Sequence, residues 1–131
     1  MPAEFINPPT IATPMGYTHV VSTRGQRTIY VSGQVAMDRS GNLVGAGDLR
    51  AQASQVFENL KNALAAAGAG FPDIVKMTMF LVNYKPELRA IIREVRGQYI
   101  SGNPPASTLV GVHALAAEGW LIEIEAVAVT D

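Results

Sequence analysis

The sequence predicts an α+β domain of two layers, a mixed β-sheet with two helices on one face. Three observations lead there. Strand-like and helical segments follow one another in the order β-β-α-β-α-β-β along 131 residues, a length that suits one domain with one core. Apolar positions at spacings of three and four mark a long helix after Asp48. A single strand then separates this helix from the next, and right-handed crossovers put both helices on the same face of the sheet. The other face is left bare, and its apolar content suggests a partner subunit.

Taken in order, residues 1–16 contain Pro2, Pro8, Pro9 and Pro14, which forbid a regular helix, so the segment reads as an extended arm. Tyr17 to Thr23 reads as a strand and Arg24-Gly25-Gln26 as a turn. Arg27 to Val35 is a second strand, rich in β-branched residues, forming a hairpin with the first. Asp38 to Asn42 makes another turn, followed by a short extended piece at Leu43-Val44. Asp48 offers its carboxylate as an N-cap; Leu49, Ala53, Val56, Leu60 and Leu64 then share one helix face, and Gly68 stops the helix. Ile74 to Val82 is short and rich in strand formers, with Val75, Met77, Met79 and Leu81 on one face and Lys76, Thr78 and Phe80 on the other. A second helix runs from about Glu87 to Tyr99, and Ser101-Gly102-Asn103-Pro104-Pro105 breaks it. Ser107 to Leu115 and Trp120 to Val129 are the last two strands.

Composition narrows the function classes. Hydrophobic residues make up 48% of the chain and charged residues only 16%, a balance that suits a surface partly hidden in an oligomer. The formal net charge of -1 shows no basic excess of the kind that duplex nucleic-acid binding uses. The absence of cysteine excludes disulfides, thiol nucleophiles and Cys-bearing zinc sites. His19 and His113 stand far apart without carboxylates at ligand spacing, so neither a metal nor any other cofactor is expected. Met1 to Phe5 holds neither a basic stretch nor an apolar run, and no apolar segment reaches the roughly 18 residues of a membrane span. A cytoplasmic location is the resulting expectation.

Three stretches then carry a resemblance: Ile29-Tyr30-Val31-Ser32-Gly33-Gln34-Val35, Asp73 to Leu81, and Ile122-Glu123-Ile124-Glu125-Ala126-Val127-Ala128-Val129, together with Pro105-Ala106 before a strand. In order and spacing, from about Tyr17 to Val129, the chain resembles the RidA/YjgF family of imine and enamine deaminases, some of which carry an endoribonuclease label. The resemblance implies one chorismate-mutase-like domain over residues 1–131, assembled as a homotrimer with a central barrel and small-molecule clefts between subunits. It implies, too, an arginine pairing with the substrate carboxylate and a glutamate helping water attack an imine carbon. On this chain the cleft tyrosine matches Tyr17, the Ser-Gly pair matches Ser32 and Gly33, and the water-positioning glutamate matches Glu123. The arginine position is Ser107, the frequent cysteine is Leu109, and the frequent asparagine is Ile92.

Loss of the arginine matters most. A guanidinium gives a carboxylate two parallel charge-assisted hydrogen bonds, whereas serine offers one neutral donor, a loss on the order of a hundredfold in affinity. The implied function is therefore a small-molecule-binding trimer acting on imine, enamine or carboxylated metabolites, with weak or absent 2-aminoacrylate and 2-iminobutanoate deaminase activity. The alternative is a non-catalytic protein that senses a metabolite or protects another protein. Glu123 is either an acid/base carboxylate or a structural one facing solvent or Lys76, and Tyr17 either stacks on a ligand or packs in the hairpin. Ser32 has no His or Asp at triad spacing. Lys76 reads as an ion-pair residue rather than a Schiff base. Arg89, Arg93 and Arg96 read as a solvated outer helix face, shared with Glu94, rather than an RNA patch.

Overall fold

The computed structural model describes residues 3–131, so Met1 and Pro2 of the expected arm lie outside the described residues. Its elements are β1 (Ala3–Ile6), β2 (Val20–Thr23), β3 (Arg27–Gln34), α1 (Leu49–Ala66), β4 (Ile74–Val82), α2 (Leu88–Gly97), β5 (Ala106–Val112) and β6 (Ile122–Thr130). The main sheet has four strands in the order β3-β6-β4-β5. Strand β6 runs antiparallel to both neighbours, while β4 and β5 are parallel, joined through α2 as a crossover requires. This is the mixed α+β sheet that the sequence predicts.

Alternation divides the sheet into two surfaces. Met77, Met79 and Leu81 of β4 and Ile122, Ile124, Ala126 and Ala128 of β6 are buried toward the helices. Ala53, Val56, Phe57, Leu60 and Leu64 of α1, with Ile92 and Val95 of α2, complete the core. Opposite them, Glu125 and Tyr30 are exposed, Tyr30 at 78%. Val75 departs from the expected pattern. A register shift between Ile74 and Lys76 interrupts the pairing with β6, and Ile74, only 2% exposed, takes the core place assigned to Val75.

The expected first hairpin does not form. Strand β2 pairs antiparallel with β1, from the arm read as merely extended, and β3 instead takes β6 as its partner. The physical reason is partner choice by burial. β6 offers nine residues with an alternating buried face, against four half-exposed residues in β2. A Cβ on Gly25 would overlap Val129, so the turn between β2 and β3 lies close against β6.

Helix α1 begins as expected: Ala51 donates its N–H to the Asp48 carboxylate at 3.1 Å, and Gly68 follows the helix at φ +75°. It also holds two polar residues that periodicity does not single out. Gln52 is wholly buried; its amide donates to the Gly45 and Gly119 carbonyls and its Oε1 accepts from the Leu121 N–H. Asn59 donates to the carbonyls of Val35 and Met37. Beside them, Phe57 stacks on Tyr99 at 5.2 Å between ring centroids, tying the end of α2 to α1.

Candidate functional site

Leu88, Ile92 and Val95 turn one stripe of α2 inward, half-buried at Leu88 and fully buried at the other two. Arg89, Arg93 and Arg96, spaced i, i+4 and i+7, form the adjacent stripe. Arg89 and Arg93 are exposed, as the sequence reading expects of a solvated face, and Arg96 is half-buried. All three line a cavity of about 320 Å³ between α2 and the edge strand β5. Glu94, expected to share their face, pairs with Arg50 at 2.7 Å. Sequence spacing placed the three arginines on one side of the helix, but only the crossover to β5 determines what that side meets.

The floor of the cavity comes from the sheet. Ser107 and Leu109 stand beside Met77 and Met79 in the parallel register, so they face the helix side. Gly111 completes the floor; a Cβ there would lie 2.8 Å from Tyr84 Cβ, and its bare backbone lets Tyr84 close in as a wall. Met15 and Tyr17 form the rim. Tyr17 therefore stands at the cavity rather than in hairpin packing, with its ring edge-on to His19 at 5.3 Å.

Thr18, a residue the sequence reading passed over, fixes that rim. It is 2% exposed, its hydroxyl donates to the Pro104 carbonyl, and its N–H donates to the Pro105 carbonyl at 3.2 Å. The hydroxyl bond joins positions 86 residues apart, which no local pattern signals. Gly16 precedes it at φ +80°, and a Cβ on that residue would collide with the Arg96 guanidinium.

Among the described residues, none of the guanidinium groups of Arg89, Arg93 and Arg96 has a hydrogen bond or ion pair. Arg96 is half-buried, and burial, followed by repulsion from Arg93, holds its guanidinium below the ordinary arginine pKa. The polar side chains of the lining, namely Tyr17, Tyr84, Ser107 and the arginines, can all donate hydrogen bonds, and no carboxylate lines the cavity. Donors and positive charge without a carboxylate are the chemical complement of a small anion.

Four expected site residues, Tyr17, Ile92, Ser107 and Leu109, thus come together in one cavity. The other three lie elsewhere. Glu123 stands opposite Phe80 on the open face of the sheet. Its carboxylate lies against Gly33, where a Cβ would overlap it, and Ser32 and Gly33 occupy the irregular stretch between Val31 and Gln34 of β3. On the same open face Lys76 donates to the Thr108 hydroxyl at 2.7 Å rather than pairing with a glutamate. Among the described residues no cluster of His, Asp or Glu could hold a metal, and no helix is long and apolar enough to cross a membrane.

Comparison with known proteins agrees with this fold. The family model of endoribonuclease L-PSP matches residues 9–130. Protein DfrA of Myxococcus xanthus is 39% identical over 114 residues, covering 87% of this chain and 85% of its own. The 2-iminobutanoate/2-iminopropanoate deaminase of Rattus norvegicus is 41% identical over 103 residues, 79% of this chain and 73% of the relative. The crystal structure of the Rid-family protein YyfB from Yersinia pestis superposes with a TM-score of 0.92 at 41% identity, over 98% of this chain and 99% of that one. With a family model matched over nearly its whole length, and with relatives of this identity and coverage, the chain belongs to the endoribonuclease L-PSP family, that is, the RidA/YjgF family.

Proposed function

We propose that this chain binds small imine-, enamine- or carboxylate-type metabolites in clefts between subunits, and that it hydrolyses 2-aminoacrylate and 2-iminobutanoate weakly or not at all. The observation that carries the reading is the meeting of Tyr17, Ile92, Ser107 and Leu109 in one cavity, with a serine hydroxyl where the family pattern has a guanidinium. The deaminase relatives support imine chemistry in general. Ser107 supports the departure from it, because one neutral donor holds a carboxylate far less firmly than a bidentate clamp.

The division of the site also supports assembly. The cavity lies at β5, one edge of the main sheet, while Ser32, Gly33 and Glu123 lie at or beside β3, the other edge. A head-to-tail contact that brings the β5 edge of one subunit to the β3 edge of the next closes into a ring. A homotrimer of this kind would juxtapose the two halves and cover the exposed Tyr30 face. Glu123 would then position water at the cavity of a neighbouring subunit.

Ammonia release over a panel of amino-acid-derived imines, followed for the wild type, Ser107→Arg and Glu123→Gln, tests the reading. The expected result is low wild-type activity that rises on introducing the arginine. Removing the Glu123 charge should lower whatever turnover exists by about a hundredfold or more. Wild-type activity equal to that of an arginine-bearing deaminase would refute the role given to Ser107. Binding without ammonia release from any imine would leave the non-catalytic alternative, in which the same cavity senses or sequesters a metabolite.

A further inference from the structure

We propose that Arg89, Arg93 and Arg96 of α2 form a displaced anion anchor in the cavity, and that the ligand it selects is a compact dianion, a phosphate monoester or a dicarboxylate. The inference rests on the reading of this cavity as the ligand site. It adds the charge class of the ligand and the residues that hold it.

Three features carry it. First, the arginines share a stripe of α2 and converge on one cavity with Ser107, and among the described residues nothing neutralises them. Their charge is concentrated in a chain whose formal net charge is -1, so it is a local feature and not a general basic surface. Second, Arg96 is half-buried against the backbone of Gly16, with Arg93 near enough to repel it. A cation partly removed from water beside another cation is unfavourable until a counter-charge arrives. Third, the remaining polar lining, Tyr17, Tyr84 and Ser107, can donate but brings no negative charge.

A single carboxylate satisfies one guanidinium fork and leaves the other two uncompensated, whereas a doubly charged group with several acceptor oxygens engages more of them. The cavity of about 320 Å³ suits a small molecule better than a polymer. Position 107 is then relieved of anchoring, and its hydroxyl becomes one neutral contact among several.

Calorimetric titration of the full chain with inorganic phosphate, malonate and acetate tests the proposal. Phosphate or malonate should bind at least about tenfold more tightly than acetate, and which of the two binds better distinguishes a phosphate ligand from a dicarboxylate. Arg89→Gln and Arg93→Gln, both at exposed positions and so tolerant of substitution, should each weaken dianion binding by about tenfold. Arg50→Gln, outside the cavity, should leave it unchanged. Equal binding of acetate, or unaltered phosphate and malonate binding in both cavity variants, overturns the anchor. Tighter binding of a short single-stranded RNA than of phosphate, lost in the same variants, overturns the small-ligand assignment. Dianion binding without ammonia release keeps the anchor and removes imine turnover, while ammonia release without dianion binding does the reverse.

Discussion

The two helices use their polar residues in opposite ways. On α1, Gln52 is wholly buried and its amide group meets three backbone partners, while Asn59 meets two carbonyls. Asp48 caps the first turn. On α2, the Glu87 side chain makes no capping bond, and the side chains of Arg89, Arg93 and Arg96 have no hydrogen-bond or ion-pair partner among the described residues. A buried polar group that is fully bonded stabilises one arrangement of the chain; a charged group held unpaired in a cavity is available to a ligand. The contrast separates the helix that holds loops in place from the helix that faces the site.

Substitution at Gln52 should give the largest effect. Gln52→Leu strips the Gly45 and Gly119 carbonyls and the Leu121 N–H of their partners, and should cost roughly 3 kcal/mol of stability. Urea unfolding measures it, and a cost near zero would mean that these backbone groups find other partners.

A smaller effect of opposite sense is expected on α2. Arg93→Gln should leave stability within about 0.5 kcal/mol of the wild type, or raise it slightly, because it removes a repulsion and no bond. A clear loss in the same urea experiment would show that Arg93 has a structural partner, and the contrast between the helices would fail.

The smallest expected effect lies where the helices meet. Glu58 of α1 accepts from Lys61 and from the Tyr99 hydroxyl, and these bonds hold its carboxyl below the ordinary value of 4.5, Lys61 contributing most. A depressed folded pKa stabilises the protein above the unfolded value and is lost as pH falls through the folded one. The Tm difference between wild type and Glu58→Gln should therefore be small at neutral pH and vanish on the acid side of 4.5. A difference that persists in acid would assign the effect to packing of Tyr99 instead of charge.

Much of this was legible in the residues. Period-two and period-3.6 patterns located β3, β4, α1 and α2 within a few positions, because burial of one face imposes them whatever lies opposite. The strand bounds drifted more: β5 is Ala106–Val112 against an expected Ser107 to Leu115, and β6 is Ile122–Thr130 against Trp120 to Val129. Family motifs picked out Tyr17, Ile92, Ser107 and Leu109, which do meet in one cavity. The arginine stripe on α2 is legible too, and Arg89 and Arg93 are exposed as it predicts, but helical periodicity says which residues share a side and nothing of the cavity that side borders. Thr18 and Gln52 gave no signal at all, because their bonds span 86, 67 and 69 residues.

By itself, then, the sequence determined the type and order of the main elements, most of the apolar residues that fill the core, and the serine at position 107. Those follow from side-chain chemistry and local periodicity, which act within a few residues of chain. Tertiary structure alone decided that β3 pairs with β6 and β2 with β1, that Glu123 and Ser107 lie on opposite faces of one sheet, and that three arginines of α2 line a cavity. Such outcomes depend on which distant surfaces bury one another most completely, and that competition is settled only when the whole chain packs.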